Sequence, residues 1–197
     1  MFVQIIEGIS TDPEGLKRQG QRWQAELRSG AEGFLGVTSG TTKDGRAITV
    51  ARFESEAAAR ANSDRPEQGA WWADTAKYYT GDVTFTESSD VAEFLGGGSD
   101  EAGFVQVMKI AGVDRTRFNR LDQAMPQVAE FRPDLLGVLR IWTGPTACID
   151  VNYFTSEADA RAAERNQIPP ALQPLMAEFQ EITRDTEYLD LADPQLH

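Results

Sequence analysis

Four aromatic side chains and one asparagine in the first half of the sequence form the group best suited to bind a flat small molecule. Trp71, Trp72, Tyr78 and Tyr79 lie within nine residues of one another. Trp and Tyr each combine a broad apolar face with one polar group. Asn62 precedes them, and an amide can stabilise charge on an enolate-like oxygen by donating a hydrogen bond. These residue types therefore suit an aromatic ligand on which oxygen charge develops.

Other kinds of chemistry have little support in the composition. The 197 residues include one Cys and one His, and the histidine is His197. A single Cys can form neither an internal disulfide nor a Cys-based zinc site. A single histidine, at the last residue of the sequence, argues against a His-based triad, a histidine zinc site and a His-ligated haem. We therefore expect neither a metal nor a cofactor.

The charge and hydropathy patterns exclude two classes of partner. The formal net charge is −12, from 31 acidic and 19 basic residues, whereas a nucleic-acid binder needs a basic face to meet phosphate. The first seven residues lack the basic region of a signal peptide. No stretch approaches the roughly 18 uninterrupted apolar residues of a membrane helix. We expect a cytoplasmic protein that binds a small molecule, and neither nucleic acid nor a membrane.

The elements that would position these side chains occur twice in the sequence. Residues 35–61 match residues 136–162 at 13 of 27 positions without a gap, whereas about two matches are expected by chance for an ordinary composition. The stretch between the copies contains Gly96-Gly97-Gly98-Ser99, which is typical of a flexible linker. We predict a first repeat over 1–92, a linker over 93–103 and a second repeat over 104–197.

Each copy is predicted to follow the order β-α-β-β-α-β. Thr11 and Glu14 have the spacing of a capping box for the first helix, and Ser55 and Ser156 are the expected N-caps of the second helix in each copy. The predicted strands cover 2–8, 34–40, 47–53 and 82–87, then 104–111, 135–142, 147–154 and 182–190. This order implies a four-stranded antiparallel sheet with helices on one face. We expect an α+β fold in which the two ferredoxin-like sheets cover each other's bare face as a barrel.

With this order and these motifs, the chain resembles a known group of proteins. The Phe-x-Ser-Glu-x-x-Ala-Arg-Ala stretch at 53–61 and the Gly-Val pair at 36–37 look like the dimeric α+β barrel superfamily. The antibiotic-biosynthesis-monooxygenase-like and stress-responsive A/B-barrel groups are the most similar to it. Members usually dimerise to complete the barrel, so the resemblance implies either a monomer with an internal pseudo-dimer or a homodimer.

The resemblance also implies a function and a site. Monooxygenase-like members hold an activated aromatic substrate beside an Asn, a Trp and sometimes a Tyr, and the substrate itself reacts with oxygen. By position and type, it assigns catalysis to Asn62, Trp72 and Tyr79 and ligand binding to Trp71 and Tyr78. It implies a cofactor-independent monooxygenase-like enzyme that acts on an aromatic or quinol-like compound. Haem-degrading relatives use a histidine ligand, and this sequence has no internal histidine.

Two questions stay open at the level of the sequence. The Trp and Tyr side chains could equally serve packing alone, and the protein would then be a non-catalytic, stress-related or ligand-binding barrel. The second copy has Ala163 where the first has Asn62, so we expect the working pocket in the first copy. Arg52, Arg140 and Lys109 lie on predicted strands, and any that faces the interior would favour an anionic ligand.

Overall fold

The computed structural model describes all residues from Met1 to His197 and divides the chain into two compact units. The first unit contains Met1–Val91 together with Asp193–His197, and the second contains Ala92–Ala192. The last five residues therefore belong with the first unit, although the repeat prediction placed them in the second. The reason is a strand pairing across more than 150 residues, which local sequence patterns do not report.

The first unit is an antiparallel sheet with helices packed on it. Its elements are β1 (Phe2–Ser10), α1 (Pro13–Glu26), β2 (Phe34–Thr41), β3 (Arg46–Phe53), α2 (Glu56–Ser63), α3 (Pro66–Thr75), β4 (Tyr79–Ser88) and β10 (Gln195–Leu196), with short 3-10 turns at Arg28–Gly30 and Ala76–Tyr78. The strand order is β10-β2-β3-β1-β4. The sheet therefore has five strands where the sequence predicted four, because β10 adds to the edge formed by β2.

The second unit repeats this plan. Its elements are β5 (Val91–Phe94), β6 (Phe104–Ala111), α4 (Arg115–Asp122), α5 (Met125–Phe131), β7 (Leu135–Gly144), β8 (Ala147–Phe154), α6 (Glu157–Ala163), α7 (Gln173–Ile182) and β9 (Glu187–Leu191). The strand order is β5-β7-β8-β6-β9. The fifth strand here is β5, so the stretch predicted as linker begins with two strand residues. The α+β class and the two ferredoxin-like repeats are confirmed.

Local capping agrees with the sequence at α2 and α6 and differs at α1. The Ser55, Ser156 and Asp114 side chains accept hydrogen bonds from the backbone N–H groups at the start of α2, α6 and α4. At α1 the cap is Asp12 rather than Thr11, since the Asp12 carboxylate accepts from the Gly15 N–H at 2.8 Å. A carboxylate is an equally good N-cap, and Pro13 then occupies the first helical position, which it favours.

The repeated sequence motif forms the same core cluster in both units. Phe2 of β1 and Phe53 of β3 pack on Ala59 of α2. In the second unit the matching cluster of β6, β8 and α6 is Phe104, Phe154 and Ala160. The motif therefore encodes the contact between the second helix segment and the two central strands. No helix of the chain is long and apolar enough to cross a membrane.

The repeated glycine of the Gly-Val pair allows a close approach of backbone at the edge of each sheet. A Cβ on Gly36 would lie 2.6 Å from the backbone oxygen of His197, and a Cβ on Gly137 would lie 1.8 Å from the backbone oxygen of Gly97. Real Cβ atoms do not come this near to backbone atoms. Each glycine therefore lets another chain segment lie directly against the edge strand.

Substituting Gly137 with alanine is expected to lower the free energy of unfolding by about 2 kcal/mol, a typical cost of overpacking. The new methyl group would force the Gly97 backbone away from β7. Gly144→Ala in the same strand is the control, because a Cβ there meets nothing within 4 Å. Urea unfolding followed by circular dichroism measures both, and equal stability of the two variants would contradict the close-approach argument.

Candidate functional site

A cleft of about 260 Å³ lies between the helices and the sheet of the first unit. Its walls come from helices α1 to α3, strands β1 to β4 and residues 193–197. Four of the five predicted site residues line this cleft, namely Asn62, Trp71, Trp72 and Tyr79. The structure thus brings together residues that are up to 17 positions apart in the sequence.

Asn62 is held in one orientation at the end of α2. Its side chain is buried, with 5 % of the residue exposed, and its carbonyl oxygen accepts a hydrogen bond from Arg65 Nη1 at 2.9 Å. The same Arg65 nitrogen donates to the backbone oxygen of Leu27 at 3.1 Å, which anchors the guanidinium at the end of α1. The hydrogen bond given for the Asn62 side chain uses its oxygen and leaves its amide nitrogen without a protein acceptor, and Asn62 lines the cleft. It is therefore a fixed donor that the cleft can use.

Arg65 was not among the residues that the sequence singled out. Its side chain is largely buried, and its Nε donates to Glu67 at 3.0 Å. Because Arg65 orients the Asn62 amide without lining the cleft, it is a positioning residue. An arginine three residues after a helix-terminal asparagine is a weak sequence signal, since most such arginines are solvated.

Aromatic rings form one side of the cleft. The Trp72 ring centroid lies 6.1 Å from that of Tyr79 and 5.2 Å from that of Phe85, the latter in an edge-to-face arrangement. Trp71 is 6.3 Å from Trp72, and its indole N–H donates to the backbone oxygen of Gln19 at 2.9 Å. Trp71 therefore ties α3 to α1, while Trp72 has a half-buried face available to a ligand.

Tyr79 begins β4 and faces the cleft across from Thr49 of β3. The two hydroxyl groups are hydrogen-bonded, and burial raises the pKa of Tyr79 to about 12. The hydroxyl group is therefore neutral at physiological pH and can donate a hydrogen bond. It cannot serve as a resident base there.

Tyr78 does not line the cleft. Its ring lies against Gly15 of α1, where an added Cβ would be 2.2 Å from the ring carbons. Its backbone oxygen accepts from the Ser10 hydroxyl at 2.9 Å. The geometry gives this side chain a packing contact between the first turn of α1 and the start of β4, so the predicted ligand-binding role has no support in the position of Tyr78.

His197 lines the same cleft, which the sequence argument did not anticipate. Its backbone N–H donates to the Val37 oxygen at 3.1 Å, and its backbone oxygen accepts from the Val37 N–H at 2.7 Å. Asp193 and Gln195 of the same segment also line the cleft, and Lys17 of α1 donates to Asp193 at 2.5 Å. The chain's one histidine, which is exposed, therefore lies at the same cleft as the candidate residues.

The second unit contains a cavity of its own. It measures about 560 Å³ and lies between the helices and the sheet of that unit, so both copies contain a cavity, and a working pocket in the first copy stays a prediction. Ala163 stands at the position of Asn62, and the aromatic side chains that line this cavity are Phe and Tyr without a tryptophan. No group of three or more His, Cys, Asp or Glu side chains in the chain is placed to hold a metal ion.

Comparisons with known proteins give the fold a context. No protein-family model matches the sequence, and no curated protein is significantly similar to it. Solved structures do match. A provisionally assigned monooxygenase from Lactobacillus acidophilus has 11% identity and a TM-score of 0.71, with 100% of this chain and 99% of that one covered. A second such protein, from Fusobacterium nucleatum, has 8% identity and a TM-score of 0.73, with 100% and 93% covered.

A third similar structure is described as an anthrone oxidase-like protein. It has 10% identity and a TM-score of 0.63, and the match covers 99% of this chain and 92% of that one. Each match runs over nearly the whole of both chains, so the duplicated arrangement is shared and not particular to this sequence. The resemblance to antibiotic-biosynthesis-monooxygenase-like proteins is confirmed for the ferredoxin-like fold of the entire chain.

Proposed function

We propose that the cleft of the first unit binds a planar aromatic molecule with an acidic CH or OH group and catalyses its oxidation by O₂ without a cofactor. The observation that carries this proposal is the Asn62 amide, whose oxygen is fixed by Arg65 at 2.9 Å and whose nitrogen is free. A preorganised donor of this kind stabilises oxygen charge as it develops. A packing or capping asparagine would not need its nitrogen left open to a cleft.

The aromatic wall supports the same class of ligand. Trp72 offers a broad face beside Tyr79 and Phe85, and such faces favour offset or edge-to-face contact with a flat ring system. The Tyr79 hydroxyl, kept neutral by burial, adds a second hydrogen-bond donor. Two donors and an aromatic wall suit a ligand whose ring oxygen becomes an enolate or a phenolate.

In this proposal His197 receives the proton that the substrate loses. An imidazole is the side chain most often used as a base near neutral pH. His197 is the only histidine of the chain, and it lines the cleft with Asn62. The resulting carbanion or phenolate can then pass electrons to O₂ directly, so that the substrate serves as its own reductant.

Anthrone is a suitable probe, since it is a flat tricyclic ketone with an acidic CH₂ group and one structurally similar protein is described as anthrone oxidase-like. The reaction balances as anthrone plus O₂ giving anthraquinone plus water. The CH₂ carbon loses two hydrogens and gains one oxygen atom of O₂, and the other oxygen atom leaves as water. No external reductant is required.

Oxygen uptake by the purified full-length protein with anthrone tests the proposal. We expect uptake above that of anthrone alone and expect Gly20→Leu to abolish most of it. Gly20 lines the cleft, and a Cβ there meets no atom within 4 Å, so the larger side chain enters open space. Gly69→Leu, at another helical glycine with nothing near its Cβ and outside the cleft lining, is the matched control.

Two outcomes would contradict the proposal in different ways. Equal oxygen uptake with and without the protein would exclude this oxidation. If calorimetry then showed that anthrone binds the wild type but not Gly20→Leu, the cleft would belong to a non-catalytic ligand-binding protein. Unchanged binding and turnover in Gly20→Leu would place the site elsewhere in the chain.

A further inference from the structure

The cavity of the second unit differs from the first cleft in size and in chemistry. Its volume of about 560 Å³ lies within the range of small-molecule sites. Most of the wall is apolar, including Phe118, Met125, Phe131, Met176 and Phe179. Methionine side chains adapt to irregular ligands, so the cavity can accept a bulky apolar group.

A buried arginine and two aspartates form one polar cluster in this wall. Arg140 of β7 lies directly opposite Asp150 of β8, and it donates to both carboxylate oxygens at 2.8 Å and 2.7 Å. Its third nitrogen donates to Asp122 at the end of α4. The guanidinium also lies 3.9 Å from the centroid of the Phe118 ring. Arg140 faces this cavity, but its nitrogens are engaged by carboxylates, so it does not offer the free cation that an anionic ligand needs.

The charges at the cavity wall leave two negative charges uncompensated when Asp134, the partner of Arg132, is counted with the lining residues. Three arginines and four carboxylates line it, and the other two arginines are paired as well. These two arginines are Arg132 and Arg161. The lining carboxylates other than Asp122 and Asp150 are Glu164 and Asp190. Arg132 binds Asp134 at 2.7 Å, and Arg161 binds both Glu164 and Asp190. Asp122 and Glu164 each have a second oxygen that accepts no hydrogen bond from the arginines. Asp122 is the more buried of the two, with 17 % of its side chain exposed against 45 % for Glu164, and it shares Arg140 with Asp150.

We propose that the second unit holds a separate binding site for a bulky apolar molecule with a protonated amine, which pairs with the free oxygen of Asp122. A cation neutralises part of the excess negative charge, and a charge-assisted hydrogen bond is about twice as strong as a neutral one. Burial raises the pKa of Asp122, and the neighbouring Arg140 lowers it, so a second cation at this carboxylate would favour its charged form further. The apolar body of the ligand occupies the space between α4, α5 and α7.

The first unit has uncharged residues at the positions equivalent to Arg140 and Asp150. Arg140 and Asp150 correspond in the repeat to Ser39 and Thr49, which are also opposite each other on adjacent strands. Both pairs line their cavities. The two units therefore present hydroxyl groups in one case and an acidic network in the other. This inference does not depend on the proposed oxidation in the first unit.

Calorimetry of the full-length protein with 1-naphthylmethylamine, 1-naphthalenemethanol and 1-naphthoate tests the inference. We expect the amine to bind at least about tenfold more tightly than the alcohol, and the carboxylate to bind most weakly. Asp122→Asn should weaken amine binding about tenfold and leave the alcohol unchanged, since the amide still accepts from Arg140 but carries no charge. Met176→Trp, which fills the cavity from α7, should remove binding of both.

Gly20→Leu is the matched control, because it blocks only the first cleft and should leave amine binding unchanged. Equal affinity of the wild type and Asp122→Asn for the amine would overturn the inference. So would a carboxylate that binds as tightly as the amine, or amine binding that is lost in Gly20→Leu but kept in Met176→Trp. None of these results depends on oxygen uptake, so failure of the proposed oxidation would be distinguishable.

Discussion

Asn62→Ala is expected to lower kcat for anthrone oxidation by about 100-fold, because loss of one oxyanion donor typically costs 10² to 10³ in rate. The amide nitrogen is the group that would contact the developing oxygen charge. The change removes no large apolar surface, and Arg65 keeps its bond to the Leu27 backbone oxygen at 3.1 Å. The fold should therefore survive, and steady-state oxygen uptake measures the effect.

Asn62→Asp separates the donor from the rest of the side chain. An aspartate at this position still accepts a hydrogen bond from Arg65, but it cannot donate, and its charge repels an oxyanion. We expect it to be at least as inactive as Asn62→Ala while keeping near-native stability. Asn119→Ala, at an exposed helical asparagine of the second unit, is the matched control. An Asn62→Asp variant with wild-type kcat would rule out the donor role.

Arg140→Ser is expected to lower the free energy of unfolding by about 3–5 kcal/mol, the usual cost of removing one partner of a buried ion pair. The Arg140 and Asp150 side chains are 5 % and 3 % exposed, so Asp150 would be left buried without its cation. Removing the exposed Arg18 of the Arg18–Asp12 pair should cost less than about 1 kcal/mol. Denaturant unfolding of both variants makes the comparison.

The residue pair at the corresponding position of the first unit suggests a rescue variant for this prediction. The double variant Arg140→Ser with Asp150→Thr installs the pair that the first unit uses at the same register. The double variant removes the buried charge of Asp150 and leaves only Asp122, which is less buried at 17 % side-chain exposure, without its cation. We therefore expect it to regain at least half of the stability lost by Arg140→Ser. A double variant less stable than Arg140→Ser would show that the arginine acts by packing on Phe118 rather than by its charge.

The repeat explains why so much of the fold was predictable. The motif residues Phe53 and Ala59 recur as Phe154 and Ala160, and they form the same cluster in both units. A pattern that occurs twice shows which positions share a structural role. The fifth strands were not predictable, because each is short and pairs with a strand that is not its neighbour in the chain. β10 beside β2 and β5 beside β7 occupy matching places in the two sheets.

Part of the candidate site was predictable from residue type and helical position. Asn62, Trp71 and Trp72 lie on consecutive helix segments that face the sheet, so residue type and helical position were enough to group them. Tyr78 and Tyr79 are adjacent, and chain direction alone does not decide which one faces inward. His197 depends on the pairing of β10 with β2. The charged network of the second unit depends on the cross-strand register of Arg140 and Asp150, which periodicity alone does not determine.

The pairing of β10 with β2 sets an order of events during synthesis. Gln195 pairs with Ser39, so about 100 residues are translated between the end of β4 and the arrival of this strand. At about 5–20 residues per second, the β2 edge stays uncovered for roughly 5–20 s. An uncovered edge strand can pair with another chain. The interval between the synthesis of β4 and that of β10 is therefore the period in which the β2 edge of a nascent chain is exposed to misassembly. A fragment that ends at residue 92 would keep this edge uncovered permanently.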